Sequence, residues 1–383
     1  MEEVKKEPFE GEKTKKGDEE EFLKMEEEDE NLKFVEVETF PINKEEDTAK
    51  IKDNWDKLEI SGLKPEKIME LFKGLEFKNL EMLSLNSDNI ESLDFLGKQN
   101  LNPIIILELK KNKIKDISKL INVPFKELKV LDLSENPIEN LKELPNLPFK
   151  NLEILLLTDL KIVDISPIIE ANLTKLSKLD LSNNQIESIE PFKKNKSLEN
   201  LEYLYLNNNK IVDISILEDD VFNKLKELQL NKNKIQNISV FEKVKFGNLE
   251  ELSLNENEIK EIVSFKPLTK LKILSLGTNL IEDISILKDN KFEFLSVLDL
   301  FNNKIKDIQV LGIEQFKNNL QELDISFNCI ESVEILLPKF KKLETLKIES
   351  NDKLDYSDEK IMQIYKAYNI PFTFNTDIFS MKL

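Results

Sequence analysis

From residue 80 onward the chain returns twelve times to one pattern, Leu-x-x-Leu-x-Leu-x-x-Asn-x-Ile. The copies start at Leu80, Ile104, Leu128, Leu152, Leu176, Leu201, Leu225, Leu249, Leu271, Leu295, Leu320 and Leu343, spaced by 22 to 25 residues and mostly by 24. A unit of this length cannot bury its apolar face alone, so successive copies must stack, and both ends of the stack need caps.

Each column of the pattern has a physical task. Alternation in Leu204-Tyr205-Leu206 puts the leucines on one face of a short strand and the residue between them on the other, so stacked copies predict a parallel sheet. Ile186, Ile211 and Ile235 follow the turn and point inward, as do Ile189, Ile214 and Ile238, and then Phe192, Leu217 and Phe241. A further column, Phe77, Phe125, Phe149, Phe222, Phe246, Phe292, Phe316 and Phe340, predicts a phenylalanine spine on the return side.

Asn112, Asn136, Asn184, Asn209, Asn233, Asn257, Asn279, Asn303, Asn328 and Asn351 stand where the chain leaves each strand. An amide both donates and accepts, so a stack of them satisfies corner backbone that a chain with only 8 glycines cannot leave to turns alone. Two copies depart, with Asp88 in the first and Leu160 in the fourth. Leucine offers no hydrogen bond, which predicts a reshaped corner at Leu160, assisted by Thr158 or Asp159.

This pattern resembles the leucine-rich repeat family. The segments Asp164-Ile165-Ser166 and Asp213-Ile214-Ser215 are similar to repeats of bacterial internalins and of a eukaryotic regulator of protein phosphatase 1. The resemblance implies an α/β leucine-rich repeat solenoid, a horseshoe with a parallel sheet on its concave face and short helical or irregular segments on its convex face. It also implies protein recognition, although a fold alone does not establish function. The C-terminal sequence does not match the phosphatase regulator's capping motif.

Charge divides the chain. Residues 1–47 hold 19 acidic residues against 8 lysines, a net of -11, and residues 48–383 hold 55 against 47, a net of -8. Glu runs with little apolar content predict an acidic, disordered tail over 1–47, which is either a solubilising segment or an acidic docking or autoinhibitory one. Residues 48–79 read as an N-terminal cap. It holds a starter repeat (Trp55, Leu58, Ile60, Leu63) and a short helix bracketed by Pro65 and Gly74, with Ile68, Met69 and Phe72 on its apolar side. The twelve repeats occupy 80–354. Residues 355–383 read as a helix-strand cap, with Ser357 at the helix start, the stripe Ile361, Ile364, Tyr365 and Tyr368, and Phe372 and Phe374 in a final strand.

Composition removes whole classes of chemistry. The chain has no histidine, no arginine and one cysteine, so the commonest general base, the bidentate guanidinium fork and any internal disulfide are missing. With a net charge of -19, nucleic acid is an unsuitable partner. No segment approaches the length of a membrane span, and the N-terminal residues lack the apolar core of a secretion signal, so the expected location is cytoplasmic. No cofactor or metal is expected and no catalytic residue stands out.

Candidate contacts lie on the outward rows of the strands. Ile154, Leu156, Tyr203 and Tyr205, with Asp180 between them, predict one aromatic and acidic patch. Val297, Asp299, Phe301, Asp324 and Phe327 predict a second. Exposed aromatics beside carboxylates suit a protein or peptide carrying lysine or arginine. Facing carboxylates at Asp299 and Asp324, and at Glu108 and Asp132, are solvated charges rather than a cation site or a glycosidase pair. A lysine row after the corners (Lys113, Lys161, Lys210, Lys234, Lys304) is a solvated rim, or the receiver of the acidic tail.

The functional expectation is a non-enzymatic scaffold or regulatory subunit that recognises another protein, such as a phosphatase, through the concave face. The alternatives are a structural component of a cytoskeletal or other large assembly, and a secreted or surface adhesin of internalin type. The oligomeric state is left open by the sequence.

Overall fold

The computed structural model describes residues 42, 44, 48, 51, 55–74, 77–98, 101, 104–193, 196–337, 340–356 and 358–368. All of them belong to the unit Pro41–Leu383. The acidic segment 1–40 and the expected strand at Phe372 and Phe374 lie outside the described residues.

Among the described residues, thirteen strands form one open parallel sheet in strict chain order. They are β1 (Lys57–Ile60), β2 (Met82–Leu85), β3 (Ile106–Glu108), β4 (Val130–Asp132), β5 (Ile154–Leu156), β6 (Lys178–Asp180), β7 (Tyr203–Tyr205), β8 (Glu227–Gln229), β9 (Glu251–Ser253), β10 (Ile273–Ser275), β11 (Val297–Asp299), β12 (Glu322–Asp324) and β13 (Thr345–Lys347). The register carries each repeat onto the next without slippage: Leu179 pairs with Leu204, and Leu204 with Leu228. These leucines are fully buried, as are Ile186, Ile211 and Ile235 beyond the corner. The phenylalanine spine is present, with Phe222 between Phe192 and Phe246 at ring separations of 6.0 and 6.4 Å.

The asparagine column holds the corners as the sequence implies. Asn209 donates from Nδ2 to the carbonyls of Leu181 (3.0 Å), Leu206 (3.1 Å) and Asn207 (3.1 Å), and its Oδ1 accepts from Ile186 N (3.0 Å). One amide thus joins its own turn to the repeat before it. The residue preceding each asparagine is left-handed, for example Lys111 (φ 59°), Asn183 (φ 58°), Asn208 (φ 50°) and Lys232 (φ 56°). Non-glycine residues pay a steric cost there. The fixed hydrogen bonds of the corner offset it.

Both departures from the column reshape their corners. At Leu160 a second left-handed residue appears, Lys161 (φ 62°), after Asp159 (φ 58°). Leu160 is fully buried in the core, so an apolar side chain replaces the polar link. Ile114 N and Ile162 N both find the oxygen of the following asparagine (3.0 Å each), whereas Ile138 faces leucine. Thr158 and Asp159 add nothing particular to this corner among the described bonds: Glu135 N to Thr158 O (2.8 Å) and Asp159 N to Ser182 O (3.2 Å) are the bonds that other repeats also make there, such as Lys111 N to Ser134 O. At Asp88 the second left-handed residue is Asn89 (φ 57°). Asp88 Oδ1 accepts from Leu63 N (3.0 Å), while Oδ2 is buried without a hydrogen-bond partner among the described residues. It stands in for an amide that donates at every asparagine corner, and burial pushes its carboxyl up to about 6.

The Asp-Ile-Ser segments start the convex turns. Asp116, Asp213 and Asp283 each accept from the backbone N–H of the serine two residues on, at 2.8, 2.8 and 2.7 Å, which opens a 3-10 turn in each case. Hydrogen bonds from Ser118 hold Asp116 below the usual carboxylate range. The repeat that starts at Leu249 is two residues shorter than most and has no helical turn between β9 and β10 among the described residues. Asn290 of the next repeat secures it, accepting from Phe265 N (2.6 Å) and Ser264 Oγ (3.3 Å).

Both caps are recognisable. Helix α1 (Pro65–Gly74) buries Ile68 and Phe72, and β1 pairs with β2 as the starter repeat. Ile42, inside the segment assigned to the tail, is buried and bridges in parallel to Ile60, so the ordered unit reaches further upstream than expected. Two short convex helices, α2 (Ser166–Glu170) and α3 (Glu314–Asn319), precede the C-terminal helix α4 (Glu359–Ala367). The N-cap of α4 is Asp358, which accepts from Lys360 N (2.8 Å), rather than Ser357, which lies outside the described residues. A carboxylate suits the positive end of a helix. Two tyrosines tie the last two repeats to this cap: Tyr368 Oη donates to Leu336 O (2.8 Å), and Tyr356 Oη donates to Ile348 O (3.0 Å).

Two outcomes test the corner chemistry. Asn209→Ala leaves three carbonyls and the Ile186 N–H without the amide, and urea unfolding should show a loss of roughly 2–4 kcal/mol. For Asp88 the carboxyl titrates higher folded than unfolded, so its contribution to stability is complete below about pH 4 and lost as pH rises through about 6. Asp88→Asn should therefore stabilise by roughly 1–2 kcal/mol at alkaline pH, and thermal melts should show this gain shrinking toward acid.

Candidate functional site: the concave face of the sheet

Because the register is uniform, the outward positions of the strands line up as rows. One row runs Ile154, Lys178, Tyr203, Glu227, Glu251, and the next runs Leu156, Asp180, Tyr205, Gln229, Ser253. One residue before each strand, ion pairs link adjacent repeats: Lys129 with Glu153 (3.1 Å), Lys226 with Glu202 (2.7 Å) and Lys272 with Glu250 (2.6 Å). These pairs are partly exposed and contribute little each. They neutralise that edge, and the carboxylates of the central rows dominate the face.

The first predicted patch is assembled but turned largely inward on itself. The register brings Ile154, Leu156, Asp180, Tyr203 and Tyr205 together, yet Ile154, Leu156 and Tyr205 are each only 8% exposed. This corrects the expectation of exposed aromatics at Tyr205. The concave curvature crowds the rows, so neighbouring side chains cover one another. Lys178 Nζ lies 5.5 Å from the Tyr205 ring centre, and Lys226 Nζ lies 5.9 Å from that of Tyr203. Tyr205 Oη donates to Glu227 Oε2 (3.0 Å). The chain's own lysines thus take the ring faces that a partner's cation was expected to use.

Beside this patch sits a carboxylate pair that the column-by-column reading passed over. Glu227 and Glu251 are register partners on adjacent strands, and Glu227 is 7% exposed. Burial and the neighbouring Glu227 charge push the Glu251 carboxyl up to about 7. Burial and Glu227 also raise the Tyr205 phenol. The position before the first strand leucine, compared across copies, carries this pair and Lys178 together.

The second predicted patch is open. Val297, Asp299 and Phe301 are half-buried and Phe327 is 49% exposed. Phe301 and Phe327 meet edge-on, with ring centres 5.2 Å apart at 62°. Asp299 and Asp324 are register partners. Asp324 is paired with Lys347 (3.1 Å) and accepts from Ser326 Oγ (2.6 Å), while Asp299 accepts from Phe301 N (2.9 Å). Burial raises the Asp299 carboxyl. The other facing pair, Glu108 and Asp132, is tied into the sheet: Glu108 accepts from Asn86 Nδ2 (3.0 Å) and Asp132 from Ser134 N (2.8 Å). Of the rim lysines, Lys113, Lys161, Lys234 and Lys304 are exposed and Lys210 is half-buried. Residues 1–40 of the tail expected to reach them lie outside the described residues. Among the described residues no helix is long and apolar enough to cross a membrane.

A two-copy leucine-rich repeat model matches residues 150–194, 199–243 and 247–289, and a single-repeat model matches 316–333. An internalin (InlF) of Listeria monocytogenes is similar at 31% identity, with 79% of this chain and 88% of that one covered and a TM-score of 0.60. The chain belongs to the leucine-rich repeat family. A leucine-rich repeat protein of Leptospira interrogans is similar at 25% identity, with 86% of each chain covered and a TM-score of 0.67. The functional domain of InlJ from Listeria monocytogenes shares the fold at 20% identity, with 82% of this chain and 66% of that one covered and a TM-score of 0.53. That domain is described as including a cysteine ladder. The leucine-rich repeats of this chain carry one cysteine, Cys329, and their ladder is built of asparagine amides. No curated protein matches the sequence.

The Glu251 carboxyl titrates higher folded than unfolded, so its contribution to stability is complete below its ordinary value and lost as pH rises through about 7. Raising pH from about 5 to about 8 should lower the melting temperature, and Glu251→Gln should flatten that slope. An unchanged slope in the variant would remove the carboxylate pair as its cause.

Proposed function

We propose that this leucine-rich repeat chain is a non-enzymatic, cytoplasmic scaffold or regulatory subunit that recognises another protein through the concave face. One observation carries the reading: the concave rows present carboxylates around an open aromatic pair, Phe301 and Phe327, that the core does not use. Solenoids use such extended surfaces for partners, and aromatic side chains ringed by polar groups dominate binding energy at protein interfaces. The acidic lining favours a basic partner segment. A phosphatase as the partner is a proposal from the resemblance to repeats of a phosphatase regulator, and a cytoskeletal or other large assembly is the alternative.

The 31% identity to an internalin favours a second reading, a secreted or surface adhesin. Fractionation of the native cell separates the two: recovery with the soluble interior supports the scaffold, and recovery at the surface or in the medium supports the adhesin.

Site-specific photo-crosslinking in the native cell tests the face itself. A photoreactive residue at Tyr203 or Glu322, both on concave rows, should capture a partner, and one at Lys288 on the convex turn should not. Capture from Lys288 alone would reject the concave face.

A further inference from the structure

Phe327 occupies the left-handed corner position (φ 54°) that polar residues such as Lys111, Asn183, Asn208, Glu256 and Asn302 take in other repeats. Its backbone is pinned there, because Phe327 N donates to Glu349 O (2.9 Å) in the following repeat. A bulky side chain is strained in that region of backbone space, and strain of this kind is found where a position serves function. The core gives no compensation, since Phe327 is 49% exposed. Its ring meets only the edge of half-buried Phe301, the one aromatic in a row that holds residues such as Asn255, Ser326 and Glu349.

The carboxylates beside these rings are already satisfied. Asp299 accepts from Phe301 N (2.9 Å) and packs over Gly277, while Asp324 accepts from Ser326 Oγ (2.6 Å) and pairs with Lys347 (3.1 Å). What the rings lack is cover from water, and an apolar side chain supplies it.

Charge identifies what carries that side chain. The three outward rows of β2–β13, which pass through Val297, Asp299 and Phe301 in β11, hold nine carboxylates against three lysines, a net of -6. The rest of residues 48–383 has a net of only -2. The negative excess of the repeats therefore lies on the concave face. A second copy of the chain would bring the same sign to that face and be repelled, whereas a basic segment is drawn in.

We propose that Phe327 and Phe301 anchor an aromatic side chain carried on a lysine- or arginine-rich segment of the partner protein. This inference deepens, and rests on, the concave-face reading. The two parts of the surface act on different rates: the carboxylate rows speed encounter, and the shielded ring contact slows release.

Fluorescence anisotropy of the full chain with labelled peptides KKKWKKK, KKKSKKK and EEEWEEE, at about 0.15 M salt, tests the assignment. KKKWKKK should bind at least about five-fold tighter than KKKSKKK, and EEEWEEE should not bind. Phe327→Asn should abolish the preference for tryptophan while leaving KKKSKKK within about two-fold of the parent. The same variant should raise the melting temperature, because asparagine tolerates the left-handed backbone. Equal binding of the two basic peptides, a preference retained in Phe327→Asn, a lowered melting temperature in that variant, or binding of EEEWEEE as tight as KKKWKKK would each overturn the anchor. If Tyr203→Ala abolishes the preference and Phe327→Asn does not, the anchor is wrong and the concave reading stands. If the partner is crosslinked from Lys288 alone, both are wrong.

Discussion

The buried asparagine amide at each corner is the interaction on which the rest of the structure depends. An amide such as that of Asn233 reaches the carbonyls of Leu206 in the preceding repeat and Leu230 in its own, while its oxygen holds Ile211 N. The side chain replaces donors and acceptors that a chain leaving a strand would otherwise bury unpaired, a loss that costs more than the net gain of an ordinary hydrogen bond. It does so across two repeats, so the same bonds that close the turn also fix the stacking register. The left-handed residues before the asparagines, none of them glycine, are tolerated for this reason.

The two repeats that break the column show what the amide contributes. Leu160 and Asp88 fit the same space, and each corner acquires a second left-handed residue. Leucine gives up the polar link and gains a fully buried side chain. Aspartate keeps the accepting half, to Leu63 N, but its other oxygen stands where a donor belongs. An acid in this place behaves as an asparagine only while it is protonated, which couples the first repeat to pH through a single atom. At the far end, the Tyr356 hydroxyl bonds Ile348 O, whose counterparts such as Ile325 O accept from the next asparagine amide, and the Tyr368 hydroxyl holds Leu336 O.

The concave face follows from the register that the corners impose. Rows of outward side chains converge as the sheet curves, so residues such as Tyr205 and Leu156 cover one another although each is on the solvent side of its strand. Around Tyr203 and Tyr205 the chain supplies its own cations from Lys178 and Lys226. Around Phe301 and Phe327 no lysine lies over a ring among the described residues, and Gly277 in the neighbouring repeat gives its space to the Asp299 carboxylate. Two patches that look alike in a list of residues therefore differ in what they offer a partner. Their difference comes from residues one row or one strand away.

Period, strand alternation, the inward columns, the asparagine ladder, its two exceptions and both caps are legible in the amino-acid sequence. Each depends on spacing within one repeat or between adjacent ones, and a strict period makes local pattern and long-range contact the same information. The membership of both concave patches is legible for the same reason. Tertiary structure alone decided their exposure, because curvature, not hydropathy, determines whether an outward tyrosine meets solvent or a neighbouring glutamate. It also decided which carboxylates are already paired, why Asp358 rather than Ser357 starts the last helix, and that the Asp299 carboxylate packs where Gly277 lacks a side chain. These are distances between side-chain atoms on different repeats, and residue order carries them only after the fold has set the rows side by side.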